Sequence, residues 1–265
     1  MGNLNPCQER SKSDMTKRVE RQIESYNMAE GKPDTDTEYN CPKCRNKGNI
    51  AINDNGFFST IPCECLKIRK SLRDLKRSSL GAANQNTFEN YVAAEKWQAY
   101  ILEKAKAFIT EPIGKWFFIG GQVGAGKTHI GKAIAYEFIK QGTYARYMEW
   151  RNDVQRLNAI INEPEGIELK AEFLNAPVLY IDDFLKTGHK AAPTQGDVNR
   201  AIDIIFGRYT QENTAVIISS EKTLNEIRAI DEAVGSRIFE RCAEYVINIG
   251  KDEKKNYRIN PSGKG

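Results

Sequence analysis

The sequence predicts an α/β protein: a parallel sheet flanked by helices and built around a phosphate-binding loop, preceded by a small zinc-binding module. Three observations carry this. Residues 121–128 read Gly-Gln-Val-Gly-Ala-Gly-Lys-Thr, set between a short apolar run and a helical pattern. Two further apolar runs, at 177–184 and 214–220, alternate downstream with helical periodicity, the order expected of βαβ units. Four of the six cysteines fall in two close pairs, Cys41/Cys44 and Cys63/Cys65.

The whole chain bounds the reading. Its 265 residues hold one large domain or a smaller one plus a module, and the 40% apolar fraction is enough for a core. A net charge of +4 is too small to argue for nucleic acid by itself. No apolar run approaches the roughly 18 residues of a membrane span, so no membrane partner is expected. The opening Met-Gly-Asn-Leu-Asn-Pro holds no apolar segment of leader length, and Pro6 occupies the position where a lipidation motif needs Ser or Thr. The expected location is cytoplasmic, where thiols stay reduced and paired cysteines more often hold metal.

Residues 1–38 form a polar segment in which Val19, Ile23 and Tyr26 fall at i, i+4 and i+7. This is either a short helix that docks on a partner or a frayed amphipathic tail, ended by Gly31 and Pro33. Residues 39–66 form the zinc-binding module. Asn55-Gly56 is a hairpin turn between Ile50-Ala51-Ile52 and Phe57-Phe58. Folding there brings Cys41, Cys44, Cys63 and Cys65 together as four thiolates suited to tetrahedral Zn²⁺. So short a segment builds little core, so metal would supply its folding energy; free thiols or a redox pair are the alternatives. Cys7 reads as a tail thiol and Cys242 as a small buried residue.

Lys67 to Arg77 holds six basic residues and one acid, Asp74. It is either a solvated helix face or a strip that touches nucleic-acid phosphate. Residues 67–86 are therefore a basic helix and linker, and 87–265 the main domain. Thr87-Phe88-Glu89-Asn90-Tyr91 opens it, and its first helix carries Val92, Trp97, Ile101, Leu102, Ala105, Phe108 and Ile109 on one side.

Trp116-Phe117-Phe118-Ile119 is a buried strand, and His129 to Lys140 a helix. The loop between them, Gly121, Gln122, Val123, Gly124, Ala125, Gly126, Lys127, Thr128 and the adjoining His129, meets every fixed position of the phosphate-loop pattern. Converging backbone N–H groups need glycine conformations. Lys127 carries charge to the β- and γ-phosphates, and the Thr128 hydroxyl ligates Mg²⁺. The helix N-terminus faces the anion. The ligand expected is a nucleoside triphosphate.

Gly142 caps that helix, Tyr144 to Trp150 alternates as a strand, and Val154, Leu157 and Ile161 stripe a helix. The strand in 177–184 ends in Asp182 and Asp183. Asp182 is expected to hold Mg²⁺, usually through water, and Asp183 to polarise the attacking water. The alternative is a pair of acids capping a loop. Asp197 is expected as the N-cap of a helix with Val198, Ala201, Ile202, Ile205, Phe206 and Tyr209 on its core face. A buried strand then ends at Ser219-Ser220, and a closing strand covers 245–249. Arg237 and Arg241, at i and i+4, share a helix face. They suit delivery of a guanidinium to a neighbouring subunit, or surface ion pairs with Glu240 or Glu244.

Read in order, these parts resemble the bacterial replicative helicase loaders of the DnaC/DnaI type within the AAA+ ATPases, relatives of the IstB transposition ATPases. The motifs that carry the resemblance are the zinc-type cysteines, the basic linker, Thr-Phe-Glu-Asn-Tyr, Gly-x4-Gly-Lys-Thr, Tyr-Ile-Asp-Asp-Phe, Ile-Ile-Ser-Ser and Ser-Arg-Ile-Phe-Glu-Arg. The resemblance implies an AAA+ P-loop core without a helical lid. It makes Asp182 and Asp183 the Walker B pair, and Ser220 the residue that reads the γ-phosphate, with Ser219 next. Arg241, with Arg237, becomes the finger acting on another subunit, and Arg258 a sensor 2 position. Asp183 stands where most such ATPases carry Glu, and Ser220 where Asn is usual. The implied activity is hydrolysis of ATP to ADP and phosphate, weak until partners stimulate it. Implied cofactors are ATP, Mg²⁺ and Zn²⁺. Implied partners are the hexameric replicative helicase through the N-terminal region, single-stranded DNA through the ATPase domain, and further copies of the chain. The alternatives are an IstB-like transposition ATPase and a nucleotide-switched DNA-binding regulator with little turnover.

Overall fold

A computed structural model of the chain describes residues 6–78, 86–111, 114–188 and 192–259, with side chains described from residue 15 to 73 and from residue 86 onward. The Cys7 thiol, the end of the basic strip at Asp74 to Arg77 and most of the 78–86 linker lie outside the residues so described. The chain divides into two compact units, Met1–Arg73 and Asp74–Gly265.

In the first unit, helix α1 (Pro6–Met28) leads to an antiparallel hairpin, β1 (Asn49–Asp54) and β2 (Phe57–Pro62). Asn55 and Gly56 both adopt positive φ, +51° and +90°, the conformation a two-residue hairpin loop of matching twist requires. The Val19-Ile23-Tyr26 stripe resolves as the face with which α1 meets this hairpin. Val19 is buried, and the Tyr26 ring meets Phe58 edge-on with centroids 5.6 Å apart. Asn27 clamps the edge of β1: its Nδ2 donates to the Ala51 carbonyl at 3.0 Å, and its Oδ1 accepts from the Ala51 N–H at 2.9 Å. Helix α2 (Cys65–Ser78) carries the basic strip. Two of its cations are paired rather than free, since Arg69 and Arg73 both meet Asp34, at 3.4 and 2.9 Å.

The second unit is a five-stranded parallel sheet with helices around it. Its strands are β3 (Trp116–Gly121), β4 (Ala145–Glu149), β5 (Val178–Asp182), β6 (Ala215–Ser220) and β7 (Val246–Ile249). The spatial order is β4-β5-β6-β3-β7, all neighbours parallel. Strands β3, β5 and β6 are buried along their whole length, as their unbroken apolar runs require. Chain order reverses direction around β3, and a ligand crevice is expected beyond the carboxyl ends of the strands at such a point.

Helix α3 (Lys96–Phe108) starts later than the sequence suggests, and Val92 lies outside it, 57% exposed. Helix α4 (Lys127–Lys140) follows the glycine loop and ends in a Schellman arrangement. Gly142 N–H donates to the Ile139 carbonyl and Thr143 N–H to the Phe138 carbonyl, with Gly142 at φ +83°. Trp150 is the first residue of helix α5 (Trp150–Ile160) rather than the end of a strand, and helix α6 (Pro164–Asn175) is an addition to the sequence reading. Helix α7 (Gln195–Tyr209) corrects another expectation. Thr194 is the N-cap, its hydroxyl accepting from the Asp197 N–H, while the Asp197 carboxylate accepts from the Thr194 N–H. Asp197 is thus the third helical residue of a capping box. Helices α8 (Leu224–Ile230) and α9 (Glu232–Cys242) complete the unit.

Arg208 ties the helical layer to the sheet. It is fully buried and donates to the carbonyls of Leu174, Ala176 and Ala215 at 2.8, 2.6 and 3.0 Å, and burial pushes its pKa down to about 10. Cys242 is buried as expected, and burial raises its thiol pKa well above the ordinary value.

Candidate functional site

The loop after β3, the acids after β5 and the serines of β6 converge at the carboxyl edge of the sheet. A cavity of about 230 Å³ opens there, lined in part by Gly124, Gly126, Lys127, Thr128, Asp183 and Arg258. Gly124 and Gly126 hold φ of +75° and +80°, which only glycine adopts without strain. The Lys127 ammonium donates to the Gly121 and Gln122 carbonyls at 3.0 and 2.6 Å. Burial lowers its pKa to about 8, against the opposing pull of Asp183 and Glu221. A buried cation at a helix N-terminus, over a glycine loop, fits a polyanionic phosphate.

Asp182 sits at the centre of a hydroxyl cluster. Its Oδ1 accepts from Thr128 Oγ1 at 3.1 Å, from the Tyr180 hydroxyl at 2.7 Å and from Ser219 Oγ, and its Oδ2 accepts from the Tyr147 hydroxyl at 3.0 Å. Thr128 and Asp182 thus lie side by side, the pair that would hold Mg²⁺. Tyr180 shares the face of β5 with Asp182 because the two stand at i and i+2 along a strand, a signal the sequence carried. Gly131 on α4 makes room for that ring, since a Cβ there would lie 2.4 Å from Tyr180 Cζ.

The two serines divide differently from the expectation for Ser220. Ser220 is 0% exposed and donates to the Phe184 carbonyl at 2.7 Å. Ser219 is the one on the Asp182 carboxylate, and it also accepts from the Asp183 N–H at 3.2 Å. The register explains this: Ile181 lies opposite Ile218, so the next residue pair brings Asp182 alongside Ser219.

Asp183 occupies a left-handed backbone position, φ +55°, and Lys186 Nζ donates to its Oδ2 at 2.8 Å. The same ammonium lies 2.9 Å from Glu221. Burial raises the Asp183 pKa, and the Lys186 bond opposes that shift. Lys186 and Glu221 both line the cavity, as does Asn86, and the sequence reading singled out none of them.

The remaining loop residues frame the site. Val123 and His129 line it, while Ala125 is buried beneath. His129 Nε2–H donates to the Thr87 carbonyl at 2.8 Å, and its ring meets Tyr91 edge-on at 5.2 Å, so the Thr87–Tyr91 segment packs on the loop. The polar tail comes back to the same place. Tyr257 N–H donates to the Gly124 carbonyl at 3.1 Å, and Gln122 Oε1 accepts from the Asp252 N–H at 3.0 Å. That return carries Arg258 into the cavity.

Arg237 and Arg241 lie on α9 and are not among the residues lining this cavity. The Arg237 guanidinium sits 3.7 Å from the Phe206 ring centre, and Arg241 sits 5.0 Å from that of Tyr209 while donating to the Tyr209 carbonyl. Their anticipated acids are otherwise engaged: Glu240 accepts from the Tyr209 hydroxyl and Glu244 lies at Lys104.

In the first unit Cys41, Cys44, Cys63 and Cys65 are all buried, and their sulfurs lie within 4.8 Å of one another. Cys41 and Cys63 Sγ are 3.8 Å apart and Cys44 and Cys65 Sγ 3.4 Å apart. Zn–S bonds of about 2.3 Å in a tetrahedron demand S···S edges of about 3.8 Å. The Gly48 N–H donates to Cys44 Sγ at 3.3 Å; although burial opposes ionisation, this bond and the neighbouring thiols bring Cys44 down to about 7. Four thiols with this spacing and an N–H···S bond fit zinc.

The second unit is therefore a P-loop ATPase domain of the AAA+ class, with the cysteine unit attached. Residues 82–242 match the model of the bacterial DnaA ATPase domain, and the chain belongs to that family. It is 28% identical over 242 residues to the phage-like element PBSX protein XkdC of Bacillus subtilis, covering 84% of this chain and 87% of XkdC. The crystal structure of the DnaC helicase loader matches 63% of the chain and 97% of its own length, with TM-score 0.50 and 19% identity. A replication initiator DnaA bound to AMPPCP and single-stranded DNA matches 67% of the chain and 53% of its own, with TM-score 0.51 and 22% identity. The chain spans less than half of the curated DnaA proteins, 42% of that from Mycoplasma genitalium. No helix among the described residues is long and apolar enough to cross a membrane.

Proposed function

We propose that this chain is an ATP-dependent loader of a hexameric replicative helicase. The observation that carries the reading is the pairing, in one chain, of an AAA+ phosphate cavity with a separate four-cysteine unit. The DnaC likeness supports the fold of the ATPase part, and the cysteine unit supplies a surface apart from it for binding the helicase.

In this reading the glycine loop and Lys127 bind the phosphates of ATP, while Thr128 and Asp182 hold Mg²⁺. Mg²⁺ held there would neutralise charge that develops on the phosphate oxygens. Water attacks the γ-phosphorus, the bond to the β-phosphate bridging oxygen breaks, and ADP leaves with phosphate. Asp183 orients the water and accepts its proton, which passes to solvent. Lys186 holds the Asp183 carboxylate, and turnover stays slow until partners act. Arg241 and Arg237 on α9 act as a finger in a neighbouring copy, worth ~10³–10⁵ in rate where such groups are known. The ATPase domain also contacts single-stranded DNA, and hydrolysis releases the loader.

Co-purification of the full chain with the helicase in ATP and in ADP tests this. The helicase should be retained in ATP and lost in ADP; recovery of a transposase and no helicase would overturn it.

A further inference from the structure

We propose that Lys186 is the group by which this site tells a triphosphate from a diphosphate: its ammonium pairs with Asp183 and Glu221, and exchanges Asp183 for the terminal phosphate. The inference rests on the reading of the cavity as an ATP site.

The placement of charge is the first argument. Three cations, Lys127, Lys186 and Arg258, and two carboxylates, Asp183 and Glu221, share the cavity wall with the glycine loop. Without Lys186 the two carboxylates would face the terminal phosphate unneutralised. That penalty falls on a γ-phosphate more than on the α- and β-phosphates, which the loop N–H groups hold.

Mobility is the second. Lys127 is committed to two loop carbonyls and lies at the buried base of the site. The Lys186 side chain is 36% exposed and grips its acids only through its tip. Its backbone is held in the turn after β5, where its N–H donates to the Asp183 carbonyl at 2.9 Å and Asp183 and Leu185 both have positive φ. A fixed backbone with an ammonium held only at its tip can change partner without moving the fold. The exchange also frees the Asp183 carboxylate as a proton acceptor only when a third phosphate is bound, which ties the base to the substrate.

Displacement titrations of a fluorescent nucleotide by ATP and by ADP, with Mg²⁺, on the full chain test this. Lys186→Ala should lower the ATP:ADP affinity ratio roughly ten- to hundredfold, the range for a lost bond between charged groups, with ADP affinity within about twofold. Lys186→Arg should restore most of the ratio. Should the alanine variant not fold, Glu221→Gln gives the opposite sign: removing the competing acid should raise the ratio. Equal weakening of ATP and ADP in Lys186→Ala, or an unchanged ratio in both variants, would overturn the inference. Wild-type protein that binds neither nucleotide would instead overturn the ATP site itself.

Discussion

Ser219→Ala and Ser220→Ala should separate chemistry from stability at adjacent positions. Ser219 is one of three hydroxyl donors on Asp182 Oδ1, beside Thr128 and Tyr180, and it also receives the Asp183 N–H. A hydrogen bond to a charged group contributes about 1.5–3 kcal/mol. Two donors remain on that oxygen, so the lower end applies, about 1.5 kcal/mol, or roughly tenfold in turnover at 1.4 kcal/mol per decade. Ser220 touches no acid. Its loss strands the buried Phe184 carbonyl at a cost of about 1–3 kcal/mol in stability, or ~2–12 °C in Tm for a domain of this size. Phosphate release at saturating Mg·ATP, with thermal melts of the same preparations, measures both. Ser219→Ala should turn over about ten times more slowly, with some loss of Tm as well because the Asp183 N–H loses its acceptor. Ser220→Ala should melt lower and keep its turnover within about twofold. The opposite pattern would refute the assignment of Ser219 to the Asp182 cluster.

Arg208→Met removes three donors from buried carbonyls and should cost about 3–5 kcal/mol, a melting shift of ~6–20 °C; a shift under 2 °C would show those carbonyls find other partners. Elemental analysis of chelator-free protein should find one zinc per chain, and a strong chelator should unfold the first unit while ATP binding by the second persists; metal-free protein with an unchanged melt would exclude the site. Burial raises the Asp153 carboxyl, against the pull of Arg146, to about 6 from 3.8, so the folded state binds the extra proton between those values and stability falls as pH rises through them. Asp153→Asn should therefore gain about 1–3 kcal/mol relative to wild type between pH 4 and pH 7, and equal pH profiles would refute the shift.

The sequence carried the site wherever local spacing carries chemistry. The glycine loop lies within eight residues, and the Asp182-Asp183 pair ends an apolar run, so both were legible. Thr194-x-x-Asp197 was legible too, because a hydroxyl three residues before an acid marks a capping box, and reading Asp197 as the cap misplaced the helix start by a few residues. The tyrosines on Asp182 were harder. Tyr180 follows from strand alternation, but Tyr147 sits on another strand and needs the β4–β5 register. Lys186, Glu221 and the tail at 252–259 reach the cavity only through the packing of three loops, which no single-chain pattern encodes. The same holds for Arg237 and Arg241: their shared helical face was plain, but the Phe206 and Tyr209 rings beneath them were not.

In the proposed function, residues 121–128 bind ATP for hydrolysis. Its most direct test is phosphate release by the full chain with Mg·ATP, helicase and single-stranded DNA, against Lys127→Ala under the same conditions. Steady release by the wild type and background release by the variant are expected; equal release from the two would overturn the ATP site.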